Sequence, residues 1–173
     1  NPLVVNGVAT TGVICNGQSN GTATVSVSGG DSPYTYVWKN SLGATVSINA
    51  ATGTGLSAGT YTCEVTDNSS CTQVSNILTV TEPVTLSATS VVTNVTCNGL
   101  ATGAINITAA NGTAGYTYAW AVSNGGNLNA NAANSEDLTA VVAGTYTCTI
   151  TDANGCQLVH AKTVTQPVTL SAT

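Results

Sequence analysis

Six cysteines carry most of the chemical potential of this chain, and they fall three to each half: Cys15, Cys63 and Cys71, then Cys97, Cys148 and Cys156. A structural zinc site wants closely spaced Cys or His pairs. These cysteines are widely spread, with no His beside them. A disulfide framework suits a small extracellular domain better. Cys15 precedes the second expected strand and Cys71 opens the last one, so Cys15–Cys71 and Cys97–Cys156 are the preferred pairs. Cys15–Cys63 remains the alternative. Cys63 and Cys148 fall mid-strand with large apolar neighbours, which predicts buried thiols. Cys63 and Cys71 share one hairpin but sit out of register, beyond the roughly 7 Å Cα limit for a bridge.

The other reactive side chains are sparse. Asp67 and Asp152 invite a calcium reading, yet calcium takes about 6–8 oxygen ligands, and the chain's 7 carboxylates are scattered. An Asx turn capping a hairpin is the expected role. His160, the one histidine, aligns with Asn76 of the first half and reads as a surface residue. Lys39 aligns with Ala121, which argues against an intramolecular Lys–Asn crosslink present in both halves. One His cannot supply repeated Ser-His-Asp chemistry, so no catalytic residue, metal or cofactor is assigned. Tyr34, Tyr36 and Trp38 would form a sugar platform if exposed. Aromatics dominate sandwich cores, and core packing is the expected role.

Composition limits the partners. Charged residues make up 5 % of the chain, with 2 cations and a net charge of −5. Two cations cannot neutralise a phosphate backbone, so nucleic acid is excluded. Nothing approaches the run of about 18 apolar residues that a membrane-spanning helix needs, so membrane insertion is not expected. The hydrophobic fraction of 42 % argues against disorder. Thr, β-branched and suited to half-exposed sheet faces, points to an all-β protein.

The elements that must position these residues are written twice. Pro83-Val-Thr-Leu-Ser-Ala-Thr89 recurs as Pro167-Val-Thr-Leu-Ser-Ala-Thr173. Cys15-Asn-Gly17 returns as Cys97-Asn-Gly99, Tyr34-Thr-Tyr-Val-Trp38 as Tyr116-Thr-Tyr-Ala-Trp120, and Ala58-Gly-Thr-Tyr-Thr-Cys63 as Ala143-Gly-Thr-Tyr-Thr-Cys148. The expected domains are 1–84 and 85–168, with 169–173 opening a third, truncated repeat. Within each repeat the period is two: Ala23, Val25 and Val27 share a face, as do Ile105, Ile107 and Ala109, and later Tyr61, Cys63 and Val65. Asp67–Ser70 and Asp152–Gly155 read as hairpin turns. The stretches 39–57 and 121–142 hold one or two further strands that the pattern does not place. Two tandem immunoglobulin-like Greek-key β-sandwich domains are expected. Tyr-x-Cys at 61–63 is similar to the tyrosine-corner strand of that class, which keeps Cys15–Cys63 open.

Cys15-Asn-Gly, Gly29-Gly30…Pro33-Tyr34-Thr-Tyr-Val-Trp38, Leu56-Ser-Ala-Gly-Thr-Tyr61 and Val65-Thr-Asp67…Cys71 closing on Thr81-Glu-Pro83 together resemble the SprB-type repeat of large cell-surface adhesins of gliding Bacteroidota. The second copy matches through Ala143-Gly-Thr-Tyr146, Thr151-Asp-Ala-Asn-Gly-Cys156 and Thr165-Gln-Pro167, with Asn111-Gly112 and Gly115 where the first has Gly29-Gly30 and Pro33. The resemblance implies a secreted, cell-surface protein of many tandem modules, a stalk or scaffold in adhesion or gliding motility. It also implies that the family's usual two cysteines match Cys15 with Cys71 and Cys97 with Cys156. The alternatives are a glycan- or surface-binding module in each repeat, or an accessory domain of a secreted enzyme. Neighbouring repeats of the same chain are the expected partners, with other copies in a fibre and a glycan or surface ligand as further ones.

Overall fold

The computed structural model describes residues 1–128 and 131–169. The chain divides into two compact units, Asn1–Pro83 and Val84–Thr173. The anticipated opening of a third repeat at 169–173 lies, apart from Thr169, outside the described residues. No helix occurs among the described residues, and none is therefore long and apolar enough to cross a membrane.

In the first unit β1 (Val4–Thr11), β2 (Gly21–Ser28) and β5 (Thr52–Leu56) form one antiparallel sheet in the order β1-β2-β5. The facing sheet runs β4-β3-β6-β7, from β4 (Thr45–Ile48), β3 (Thr35–Asn40), β6 (Gly59–Thr66) and β7 (Thr72–Val74). The last strand resumes as β8 (Leu78–Val80), also paired with β6. This is the immunoglobulin-like division of strands between two sheets. The period-two pattern becomes layering: Ala23, Val25, Trp38, Leu56, Tyr61, Cys63, Val65 and Val80 meet in one core while their neighbours face water.

The second unit repeats the plan. Sheet β12-β10-β9 comprises β12 (Leu138–Val141), β10 (Gly103–Ala110) and β9 (Ser87–Thr93). It faces β11-β13-β14, from β11 (Thr117–Ser123), β13 (Gly144–Thr151) and β14 (Gln157–Val164). Its own core gathers Leu86, Ile105, Ile107, Trp120, Leu138, Val141, Tyr146, Cys148, Ile150 and Val164. The unplaced stretches are now assigned. Residues 39–57 hold both β4 and β5, whereas 121–142 hold the end of β11 and β12 among the described residues.

Strand direction gives each unit two poles. In the first, β6 starts at Gly59, opposite Val80, and ends at Thr66, opposite Thr72. The Gly59 end carries the outgoing chain at Thr81–Pro83, because the Val13 amide donates to the Thr81 carbonyl (2.9 Å). The Thr66 end carries the incoming chain, because the Gly30 amide donates to the Asn1 carbonyl (3.0 Å) and the Asn68 amide to Asp31 (2.8 Å). These are the exit and entry poles.

Candidate functional site: the two poles of each repeat

At the exit pole Cys15-Asn16-Gly17 forms a turn closed by the Gln18 amide donating to the Cys15 carbonyl (3.1 Å). Gly17 takes φ of 78°, the left-handed value that the third position of a type II turn demands. Asn16 Nδ2 donates to the Pro83 carbonyl (3.1 Å), and the Gly17 amide donates to Glu82 Oε2 (3.1 Å). The second unit reproduces this clamp. Asn98 Nδ2 donates to Pro167 (3.0 Å), the Gly99 amide to Gln166 Oε1 (2.9 Å), and Gly99 has φ of 77°. Glu and Gln both offer a carboxyl or amide oxygen there, so the exchange preserves the bond. Sequence reasoning missed this clamp. Its signal was the joint recurrence of Cys-Asn-Gly with Glu/Gln-Pro.

At the entry pole a buried Asp organises the hairpin between the last two strands. Asp67 Oδ1 accepts the Cys71 amide (2.8 Å) and Oδ2 accepts the Asp31 amide (3.1 Å). Asp152 Oδ1 accepts the Asn154 and Cys156 amides (both 2.9 Å), and Oδ2 accepts Thr113 (2.9 Å). Backbone amides stabilise the ionised carboxylates and hold both below the usual range, Cys71 contributing most at Asp67 and Thr113 most at Asp152. The expected Asx-turn role describes both.

Placing the cysteines on this frame corrects the pairing. Cys15 and Cys97 lie on the exit-pole turns; Cys71 and Cys156 lie on the entry-pole hairpins. Within one repeat they sit at opposite ends of eight-residue strands, about 23 Å apart at 3.3 Å per residue, far beyond the ~7 Å limit. Cys71 and Cys97 are exposed free thiols, whereas Cys15 and Cys156 are disulfide-bonded. The pairs Cys15–Cys71 and Cys97–Cys156 are therefore not formed. Nor is Cys15–Cys63, since Cys63 is also free.

Cys63 and Cys148 are buried thiols inside the cores, cross-strand from Trp38 and Trp120. Burial pushes the Cys63 thiol up to about 11 and raises Cys148 as well. The Trp indoles are satisfied inside, Trp38 Nε1 donating to Ala50 (2.9 Å) and Trp120 Nε1 to Ser135 (2.8 Å). Tyr34 and Tyr36 pack against the first core rather than forming an exposed platform. Tyr34 also donates its hydroxyl to the Gly29 carbonyl (2.7 Å), as Tyr116 does to Asn111 (2.7 Å). Tyr61 donates to Ser57 (2.9 Å) and Tyr146 to Val142 (2.8 Å), each four residues upstream, in tyrosine-corner fashion.

The remaining candidates are structural. Lys39 forms an ion pair with Glu64 (2.9 Å) on a partly exposed face, an arrangement worth little in water. His160 pairs across the ladder with Cys148, and its true counterpart is Ser75, whose amide donates to the Cys63 carbonyl (2.9 Å). That corrects the alignment with Asn76. His160 is half-buried rather than a free surface residue, with Nε2 3.0 Å from Ser90 Oγ. Burial, with a contribution from Lys162, lowers its pKa. Among the described residues no group of three or more His, Cys, Asp or Glu could hold a metal. A surface hollow of about 620 Å³ beside the second exit pole is lined by residues such as Asn124, Ala143, Thr163 and Gln166, without a carboxylate, imidazole or thiol.

Comparison with known proteins bears on these shared features. A family model described as the SprB repeat matches residues 7–43 and 89–127. No curated protein matches significantly. Among solved structures, the chain is similar to the three N-terminal domains of the outer capsid protein Hoc of bacteriophage RB49, at 14 % identity and TM-score 0.48, covering 94 % of this chain and 59 % of that one. A C-terminal fragment of intimin, solved with the intimin-binding domain of its translocated receptor, has 19 % identity and TM-score 0.43, covering 95 % and 64 %. The eight N-terminal immunoglobulin domains of Down syndrome cell adhesion molecule give 14 % and 0.42, covering 96 % and 25 %. The chain thus spans less than two thirds of the length of each of these three.

Proposed function

The chain carries two copies of the SprB repeat, and from that premise we propose that it is a structural module of a long extracellular cell-surface adhesin, a stalk or scaffold in adhesion or gliding motility. The supporting observation is where the repeats agree. They share the core Trp, Tyr and Cys, the tyrosine corner, the Asp-organised entry hairpin and the exit-pole clamp. Every one of these features builds the fold or shapes a pole. The largest surface difference sets β4 of the first repeat against residues 124–128 and 131–137 of the second, which supports a scaffold over a ligand site repeated in both. The matched family is a repeat rather than a catalytic family. A surface wetted by neutral Thr, Ser and Asn suits an extracellular role.

The test is a binding measurement on the purified two-repeat chain against a glycan array and against cell-surface polysaccharide. A stalk module gives no saturable binding. Saturable binding that survives loss of either repeat would replace this reading with a binding module in each repeat.

A further inference from the structure

Seven Asn-Gly pairs punctuate the chain, at Asn6, Asn16, Asn20, Asn98, Asn111, Asn124 and Asn154. This pair has a chemistry of its own. The glycine amide nitrogen, once deprotonated, is a nucleophile placed to close a five-membered ring on the asparagine side-chain carbonyl carbon. Glycine has no Cβ to obstruct that approach. A hydrogen bond from the amide retains its proton and holds the nitrogen in place, so the fold decides which pair reacts.

Six of the seven are held. The Gly7 amide donates to Asn76 Oδ1 (2.6 Å), Gly17 to Glu82 Oε2 (3.1 Å) and Gly99 to Gln166 Oε1 (2.9 Å). Gly112 donates to the Val84 carbonyl (3.3 Å) and Gly155 to the Asp152 carbonyl (3.0 Å). Gly21 is buried in β2, and Asn20 Oδ1 accepts the Ile14 amide (3.0 Å). Asn124-Gly125 differs. There the Gly126 amide donates to the Ser123 carbonyl (3.0 Å), while Asn124 and Gly125 take φ of 51° and 88°. Positive φ at both central positions is the signature of a type I′ turn. The bond that closes such a turn uses the amide of its fourth residue and leaves that of its third unpaired. Among the described residues the Gly125 amide has no acceptor, and Asn124 and Gly125 are both exposed. After β3 the first repeat has Asn40-Ser41-Leu42-Gly43 instead, with no Asn-Gly pair.

We propose that Asn124 is a site of spontaneous modification, deamidating to aspartate and isoaspartate in the folded second repeat ahead of every other Asn-Gly pair. The Gly125 nitrogen gives its proton to solvent hydroxide and attacks Asn124 Cγ. A Cγ–N bond forms, the Cγ–Nδ2 bond breaks, and Nδ2 takes up a proton and leaves as ammonia. Water then opens the cyclic imide. Attack at Cγ yields aspartate with the backbone restored, and attack at the main-chain carbonyl carbon yields isoaspartate, with the backbone routed through the side chain. One water enters, one ammonia leaves, and nothing is oxidised or reduced. The product places a carboxylate on the hollow that Asn124 shares with Thr145, Thr163 and Gln166, which now holds no acidic group. It also ends the donation from Asn124 Nδ2 to Thr145 Oγ1 (3.2 Å). In a chain with only 5 % charged residues, one added negative charge is a substantial local change. The mark accumulates with the age of the molecule, whether the array is a stalk or a row of binding modules.

The test ages the folded two-repeat chain in mildly alkaline buffer made with heavy-oxygen water, followed by peptide mapping with isoaspartate detection. Asn124 should lead the other six sites by roughly tenfold in rate, the factor given by a hydrogen bond of about 1.4 kcal/mol on the amide. In urea, where no amide is held, that lead should vanish. Glu82 is exposed, so Glu82→Ala should leave folding intact while freeing the Gly17 amide, and an unchanged melting profile checks this. Asn16 should then approach the rate of Asn124, whereas Glu82→Gln, which keeps an acceptor as Gln166 does in the second repeat, should leave Asn16 slow. Asn124 reacting no faster than Asn16 and Asn98 in the folded chain would overturn the proposal. An undiminished lead in urea would overturn it too, by assigning the reactivity to local sequence, and so would an Asn16 that Glu82→Ala does not accelerate.

Discussion

The two repeats differ most at the sheet edges. Beside the Trp-bearing strand, the first repeat pairs β4 with β3 in an antiparallel ladder that shifts register between Trp38 and Lys39. The second instead has residues 131–137 on that side, with the Trp120 amide donating to Ala133 (2.8 Å) and Asp137 Oδ1 accepting the Ile107 amide (2.8 Å). On the opposite edge, the first repeat has one residue more in its final strand, nine steps from Cys71 to Val80 against eight from Cys156 to Val164. The strand accordingly breaks into β7 and β8 around Ser75–Ile77, whereas β14 runs unbroken. An extra residue at Val8 bulges β1, and the Gly7 amide donates to Asn76 Oδ1 (2.6 Å) across the two irregular strands. In the second repeat Ser90 and His160 make that link. Edges absorb insertions because one side of their ladder is unpaired. Cores and poles do not vary in this way, which locates what the repeat must preserve.

The strongest way to break the comparison is to remove what the cores share. A Cβ on Gly53 would stand 3.1 Å from the Trp38 ring, so the indole packs directly on backbone in the first repeat. Leu138 occupies the matching place in the second and is fully buried. Trp38→Ala should cost the first unit about 3–5 kcal/mol, and Trp120→Ala should cost the second a comparable amount. Calorimetry should show the mutated unit melting early while the other keeps its transition. Loss of both transitions together would mean that the units do not melt independently.

The entry poles should fail together in acid. Asp67 and Asp152 are held below their ordinary value of 3.8 by backbone amides. The stability they confer is therefore complete above that value and is lost as pH falls through the lower folded value. Melting temperature should decline on acidification below about pH 4, and Asp67→Asn should flatten the decline for the first unit alone. A decline unchanged in the double Asn variant would assign acid sensitivity elsewhere.

Much of the fold was legible because period-two patterning and recurrence are local signals. Tyr61, Cys63 and Val65 alternate visibly, and they line the core. The poles were not legible, because which end of the sandwich a turn occupies depends on counting every strand before it. Cys15 and Cys71 both precede a strand, and only the parity of the strands between them separates near from far. The unplaced stretch 39–57 hid two strands, β4 and β5. In the second repeat only β12 follows β11 in the corresponding stretch among the described residues. The alignment of His160 failed for a related reason: a single inserted residue moved its counterpart from Asn76 to Ser75.

That insertion can be probed directly. Ser75 Oγ accepts the buried Cys63 amide (3.0 Å) and donates to the Asn76 carbonyl (2.8 Å), so its hydroxyl repairs the ladder where the strand breaks. Ser75→Ala would weaken the pairing around a buried amide and should cost about 1–3 kcal/mol. His160→Ala, in the unbroken strand, keeps the backbone ladder and should cost less. Equal losses would mean that the repair is not what distinguishes the two strands.

The smallest predicted effect concerns a residue that the second repeat holds in an unfavourable conformation. In the first repeat the pairing of β2 with β5 shifts register between Gly21 and Ala23, and the bulged residue Gly55 takes φ of 68°. The second repeat has the same shift between β10 and β12, but the bulged residue is Ala140, at φ of 53°. A left-handed conformation costs an L-residue roughly 1–2 kcal/mol, which glycine escapes. Ala140 is exposed, so removing its methyl forfeits no core packing. Glycine adds freedom to the unfolded chain and returns about 0.4–1 kcal/mol of the gain. Ala140→Gly should therefore stabilise the second unit by about 0.5–1 kcal/mol, the difference between those two effects. Gly55→Ala should destabilise the first by a similar amount. Denaturant midpoints of the two variants should move in opposite directions, and a destabilised Ala140→Gly protein would mean that the bulge tolerates alanine without strain.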